Sequence, residues 1–286
     1  GGVLFSTNMQ IVATPNSLSN GEYCLPEGTT SIGRLVFSYS HITNITIPNT
    51  VTCIGKCAFR NSKLESISIP ESVLVINKKA FYECSHLRII NLPTKLRRIG
   101  QYAFSGCEEL ASVKIPDGVI SIPDMAFSGC KKLKSVYLPK SISHIETTAF
   151  NSCSTLEVLE ISEDNAYFVS LDNALFSRDM ELLFVPSASL QRDYKIPKGI
   201  RSIAEIAFKG CANLFSVVVP DGVTTIGSSA FELCTNLTTV LIPKSMKSIG
   251  KESFLNCKNL TTVNLPSSVV SIGYRSFCGC EKLKTM

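Results

Sequence analysis

Twelve cysteines in 286 residues are the first chemistry this sequence offers, as disulfides, metal ligands or nucleophiles. Eight of them, Cys84, Cys107, Cys130, Cys153, Cys211, Cys234, Cys257 and Cys280, follow one another at intervals of 23 residues, broken once by an interval of 58. Each closes a Phe-x-x-Cys phrase, so all eight hold one position of a repeating unit. Side chains stacked in register point the same way, which is a poor geometry for bridging neighbours, whereas a small thiol fills an apolar gap well. The expectation is a buried, reduced column. Cys24, Cys53, Cys57 and Cys278 lie off it, in "CIGKC", in "CGC" and alone. A zinc site needs four converging ligands, and no second pair completes one, so neither metal nor cofactor is expected. Cys24 aligns with Lys114 and Tyr137 and should be an exposed thiol.

The other candidate groups also fall into columns. His41 and His86 share theirs with Glu109, Lys132 and Thr155, and His144 shares one with Cys53, Ser121 and Thr225. No histidine has a recognisable nucleophile or carboxylate partner, and no glycine-rich phosphate loop is present, so catalysis by these residues is not expected. The acidic "SED" at 162–164 reads as a solvated turn rather than a calcium loop. Asn44, Asn236 and Asn259 open Asn-x-Thr sequons, all in or beside strand segments.

What positions these columns is a repeat, which must be found before local structure is read. Prolines recur at 26, 48, 70, 93, 116, 139, 197, 220, 243 and 266, and phenylalanines keep step at 37, 59, 81, 104, 127, 150, 208, 231, 254 and 277. One unit, ending at Pro139, runs "SIPDMAFSGCKKLKSVYLP". Its tail alternates Val136 and Leu138 inward with Tyr137 outward, a short strand that proline closes because proline cannot extend a ladder. "DMAFSGC" is too short for an ordinary helix and predicts one helical or 3₁₀ turn with Ala126 and Phe127 inward. A unit this small cannot bury its apolar side alone; stacked units can.

The pattern "IP..V..IG..AF..C..L..V.IP", carried by ten copies over residues 23–286, resembles the BspA-like class of leucine-rich repeats. The resemblance implies a right-handed leucine-rich-repeat solenoid of about ten coils of 22 or 23 residues, with a parallel β-sheet on one face and short helical turns. It also implies a cell-surface or secreted protein with roles in adhesion and protein binding. The expected organisation is a single array over 1–286: a partial irregular hairpin coil at 1–25, repeats at 26–161, an irregular hairpin coil at 162–196, and repeats at 197–286. The first 26 residues repeat the later stretch 172–197 at an offset of 171, sharing Leu4/Leu175, Phe5/Phe176, Ser6/Ser177, Met9/Met180, Pro15/Pro186, Tyr23/Tyr194 and Pro26/Pro197. The two copies are expected to follow the same backbone course, and the sequence is expected to begin inside a longer array.

With 28 basic and 23 acidic residues the net charge is +5, distributed as about +5 over residues 1–100, −4 over 101–200 and +4 over 201–286. No Lys/Arg run resembles a nucleic-acid patch and no apolar stretch approaches membrane-spanning length, so neither nucleic acid nor direct membrane insertion is expected. The best candidate surface is the outward row of the strands. Asn91, Lys114, Tyr137, Glu160, Val218 and Leu241, with nearby Phe215, depart from the small polar residues that a passive spacer would keep there. The reading is a non-enzymatic binding or adhesion module that takes a protein or polysaccharide through this face; the alternative is a spacer or stalk that displays another domain.

Overall fold

In the computed structural model, residues 4–13 and 21–284 are described. They form a β-solenoid of two compact units, residues 1–155 with 160–166, and residues 167–286 with 156–159. Successive coils make up to three kinds of contact with one another, and one coil illustrates all of them. The strand Ser112–Lys114 pairs in parallel with Ser135–Leu138, Val113 opposite Val136 and Lys114 opposite Tyr137. Pro116 then ends the ladder and opens a turn closed by the Val119 N–H on the Pro116 carbonyl (3.1 Å). A second, two-residue strand, Ser121–Ile122, pairs with His144–Ile145.

The third contact replaces the predicted helical turn. Among the described residues there is no α- or 3₁₀-helix. Met125 (φ 50°) and Gly129 (φ 74°) both occupy the left-handed region on either side of Phe127, and a helix cannot pass through such residues. Alternate amides therefore divide their work. Ala126, Ser128 and Cys130 donate to carbonyls three residues back, while Phe127 and Gly129 donate across to Ala149 and Asn151 of the next coil at 2.9 and 2.8 Å. The turn is thus a further hydrogen-bonded ladder, and these five amides find partners without a helix.

In the first unit a six-stranded sheet joins Leu4–Phe5, Gln10–Ala13, Ser31–Ile32, Cys53–Ile54, Val75–Ile76 and Arg98–Ile99, and Ser121–Ile122 with His144–Ile145 forms a separate pair. The longer strands form shorter sheets, and the last of these contains Ser112–Lys114, Ser135–Leu138 and Val158–Ile161. The second unit repeats the arrangement with a seven-stranded sheet from Phe168–Leu171 to Ser271–Ile272 and a four-stranded sheet of Asp193–Lys195, Ser216–Val218, Thr239–Leu241 and Thr262–Val263.

The repeated phrase makes a β-hairpin in both places. Leu4 faces Ala13 and Phe5 faces Ile11; at the same offset Leu175 faces Phe184 and Phe176 faces Leu182, with the same bulge between the pairs. Met9 and Met180 turn the chain at φ 58° and 69°, and the Ser6 and Ser177 hydroxyls accept the amides of Gln10 and Glu181, each at 3.1 Å. Residues 1–3 and 14–20 of the first copy lie outside the described residues.

Side chains of the inward columns form the core. Phe37, Phe59, Phe81, Phe104, Phe127 and Phe150 stack face to face at 5.1–5.8 Å in the first unit, and Phe208, Phe231, Phe254 and Phe277 at 4.7–5.2 Å in the second. Tyr23 tilts against Phe37 and Tyr194 meets Phe208 edge-on, so the tyrosine shared by the two hairpin coils begins each stack. Burying each ring contributes roughly 2 to 3 kcal/mol, and the regular offset adds to it.

Candidate functional site: the cysteine column and the sheet faces

The eight predicted column cysteines all carry free thiols; seven are buried and Cys280 half-buried. Seven of the eight thiols donate to the carbonyl of a stacked phenylalanine. Cys84 donates to the Phe59 carbonyl (2.9 Å), Cys107 to Phe81 (3.2 Å), Cys130 to Phe104 (3.3 Å) and Cys153 to Phe127 (3.1 Å), always one coil back. Cys234, Cys257 and Cys280 repeat this on Phe208, Phe231 and Phe254, and Cys211 makes a longer contact of 3.9 Å to Val185. The acceptor carbonyl already takes the amide of the cysteine in its own coil, as in Cys107 N–H to Phe104, so the thiol saturates it. Burial pushes the thiols of Cys84, Cys153 and Cys211 up to about 12 and Cys280 to about 11, and holds Cys107, Cys130, Cys234 and Cys257 well above the ordinary range. Protonated, enclosed thiols are packing groups, not nucleophiles.

Ser62 takes the column position in the coil of Phe59. It is buried, with its hydroxyl 3.4 Å from the Cys84 sulfur. Of the cysteines off the column, Cys24 is exposed as expected, as is Cys278, while Cys57 is buried and Cys53 half-buried. Among the described residues no group of three or more His, Cys, Asp or Glu side chains could hold a metal ion.

The histidines are all exposed. His144 does have a carboxylate partner that the sequence did not suggest, Glu146 at 3.1 Å, and His86 lies 3.3 Å from the Lys63 ammonium. The sequon asparagines use their amide nitrogens between coils: Asn236 donates to Ala212 (2.9 Å), Asn259 to Thr235 (2.8 Å) and Asn44 to the Ser66 hydroxyl (3.3 Å). Glu163 and Asp164 of the acidic turn face solvent, but the next residue, Asn165, is buried. It donates to the carbonyls of Pro139 (3.0 Å) and Ile142 (2.9 Å), tying the irregular coil to the preceding turn.

The outward row has a different character in each unit. In the first, Asn91, Lys114 and Tyr137 stand on the strands Ile89–Asn91, Ser112–Lys114 and Ser135–Leu138, and the three line one shallow groove of about 480 Å³ with Thr94 and Asp117. The Lys114 ammonium rests 5.3 Å from the centre of the Tyr137 ring. Glu160 is exposed on Val158–Ile161 and does not line this groove. In the second unit Val218 and Leu241 line the equivalent groove, of about 600 Å³, with Lys195, Lys198 and Asp221. Leu241 is 53% exposed there. Phe215 lies outside that groove, half-buried one residue before the strand Ser216–Val218, with the Arg192 guanidinium 3.8 Å from its ring centre. The sequence pointed to Val218 and Leu241 but not to Lys195 or Lys198, whose charge lies one coil earlier.

Shallow grooves beside repeated strands, over a core of stacked phenylalanines and thiols, define a leucine-rich-repeat solenoid. The chain belongs to the BspA type leucine rich repeat family, whose model matches six copies over residues 15–116, 75–192 and 181–286. Among solved structures, a leucine rich cell surface protein from Faecalibacterium prausnitzii A2-165 is 26% identical, with a TM-score of 0.72, over 99% of this chain and 85% of that one. The pneumococcal vaccine antigen PcpA is 25% identical, with a TM-score of 0.88, over 99% of this chain and 80% of that one. A leucine-rich repeat protein from Bacteroides ovatus ATCC 8483 is also 25% identical, with a TM-score of 0.57. No curated protein matches the sequence. Among the described residues no helix is long and apolar enough to cross a membrane.

Proposed function

We propose that this chain is a non-enzymatic binding module of a cell-surface or secreted protein, which holds a protein or polysaccharide partner against the outward row of its longer strands. The observation that carries the reading is the composition of the two grooves. Each sets an exposed or half-exposed large side chain, Tyr137 or Leu241, beside a lysine and an aspartate. An apolar or aromatic centre with a charged rim is the anatomy of a protein interface, and the grooves are too open for small-molecule chemistry. Two relatives described as a cell surface protein and a vaccine antigen support the location.

Affinity capture with the whole 286-residue chain, followed by titration of the captured partner, tests the reading. Tyr137→Ala and Phe215→Ala should each weaken binding by about 1 kcal/mol or more, since aromatic anchors dominate interface energy. Their melting transitions should stay close to the parent's. If both variants bind like the parent while Lys131→Ala or Lys251→Ala abolishes binding, the sheet faces are not the site.

A further inference from the structure

The turn surface of the first unit carries a second feature that the grooves do not use. Arg60 lies 5.7 Å from the ring centres of both Tyr39 and Tyr82. Lys79 lies 5.0 Å from Tyr82 and 5.1 Å from Tyr102, and Lys78 lies 5.8 Å from Tyr102. Tyr82 and Tyr102 meet edge-on at 6.4 Å. The result is one continuous ladder of alternating rings and cations across successive coils. Arg34 and Lys56, both exposed, extend it in register with Lys78, because Leu35 donates to the Lys56 carbonyl and Cys57 to that of Lys78.

Five cations are gathered here, and among the described residues none forms an ion pair. At several turn positions elsewhere the cations are paired. Lys131 pairs with Glu108 and Lys132 with Glu109, each at 2.8 Å. In the second unit the equivalent turn positions hold Lys209 paired with Glu232 at 2.8 Å, and Lys251 and Arg275 both beside Glu252. Glu83 and Asp124 approach the ladder with negative charge, through the Tyr82 and Tyr102 hydroxyls. The rings therefore take the place that carboxylates fill in the other coils: they hold the cations in position without cancelling their charge.

We propose that this ladder, Arg34, Lys56, Arg60, Lys78 and Lys79 braced by Tyr39, Tyr82 and Tyr102, is a binding site for an anionic polysaccharide bearing sulfate or carboxylate groups. The charges stand on three successive coils spaced about 4.8 Å apart, a linear array that suits a chain of anionic groups better than a single ion. Single-stranded nucleic acid is disfavoured because its bases need free aromatic faces, and Tyr82 and Tyr102 each already carry two cations. An acidic peptide is disfavoured because the turn amides it would use, those of Leu35, Cys57 and Lys79, already donate to the next coil.

The test is titration of the whole chain with a fluorescent heparin dodecasaccharide, single-stranded oligo-dT and polyglutamate of matched charge, each at low and at high salt. Heparin should bind most tightly at low salt and weaken steeply with ionic strength. The triple variant Lys56→Gln, Lys78→Gln and Lys79→Gln should lose at least tenfold in affinity, while Lys131→Gln with Lys132→Gln should change it less than twofold. If the triple variant folds poorly, Arg34→Gln with Lys56→Gln, both at exposed positions, should still lose severalfold. No heparin binding at low salt, equal losses in the ladder and control variants, or tighter binding of oligo-dT or polyglutamate would overturn the proposal.

Discussion

Raising the pH should unfold the first unit through its cysteine column. Cys84, Cys107, Cys130 and Cys153 are buried there, and burial pushes the Cys84 and Cys153 thiols up to about 12 and holds Cys107 and Cys130 well above the ordinary range, whereas thiols in the unfolded chain ionise near 8.5 to 9. Because the folded values lie above the unfolded ones, the stabilisation is complete below about pH 8.5 and is lost as the pH climbs toward the folded values. Each thiol then costs about 1.4 kcal/mol per pH unit above 9, so four of them remove on the order of 5 kcal/mol by pH 10. That is a large share of the roughly 5 to 15 kcal/mol that holds a folded domain together.

The assay is urea denaturation under reductant and argon at pH 8, 9 and 10, on the parent and on a variant with Ser at all four positions. Ser62 already occupies the column, so serine is a tolerated shape, and its hydroxyl can still donate to the phenylalanine carbonyl. The variant should start about 1 kcal/mol per site less stable at pH 8, for lost packing, and then fall with pH much less steeply than the parent. The reasoning is refuted if parent and variant lose stability in parallel. It is refuted equally if thiolate absorbance of the folded parent rises fully between pH 9 and 10.

Two smaller tests bear on the same architecture. Thiol labelling of the native chain should modify the exposed Cys24 and Cys278 at least a hundredfold faster than the seven fully buried column cysteines, as counted by mass spectrometry; comparable rates would mean that the column is open. Asn165→Ala should destabilise the chain by about 1 to 3 kcal/mol, because the carbonyls of Pro139 and Ile142 lose a buried donor, and chemical denaturation would read it.

Much of this architecture is legible in the sequence because stacking converts a repeat into physical columns. The spacing of Phe127, Cys130, Val136 and Leu138 is enough to place all four inward, and the phrase shared by Leu4–Met9 and Leu175–Met180 identifies the hairpin from its anchors. The turn was misread as helical for an identifiable reason. Left-handed backbone is usually signalled by glycine or asparagine, yet here Met125, Tyr102, Lys79 and Glu252 adopt it, held by the hydrogen-bonded ladder to the next coil rather than by their own preference. The thiol-to-carbonyl bonds were hidden because they join residues 26 apart, one coil plus three residues. The tyrosine–cation ladder was hidden because it runs across several columns of the repeat template, that of Arg34, Lys56 and Lys78, that of Lys79 and Tyr102 and that of Arg60 and Tyr82, so no single column holds it. Lys114 and Tyr137 were legible as neighbours only because they share one position in successive coils.

The central claim, that the outward strand rows are binding surfaces, is tested most directly by hydroxyl-radical footprinting of the chain alone and with its captured partner. Oxidation of Tyr137, Phe215 and Leu241 should fall severalfold in the complex, while the exposed Tyr274 on a turn keeps its rate. Unchanged oxidation at those three side chains, with protection confined to Tyr274, would contradict it.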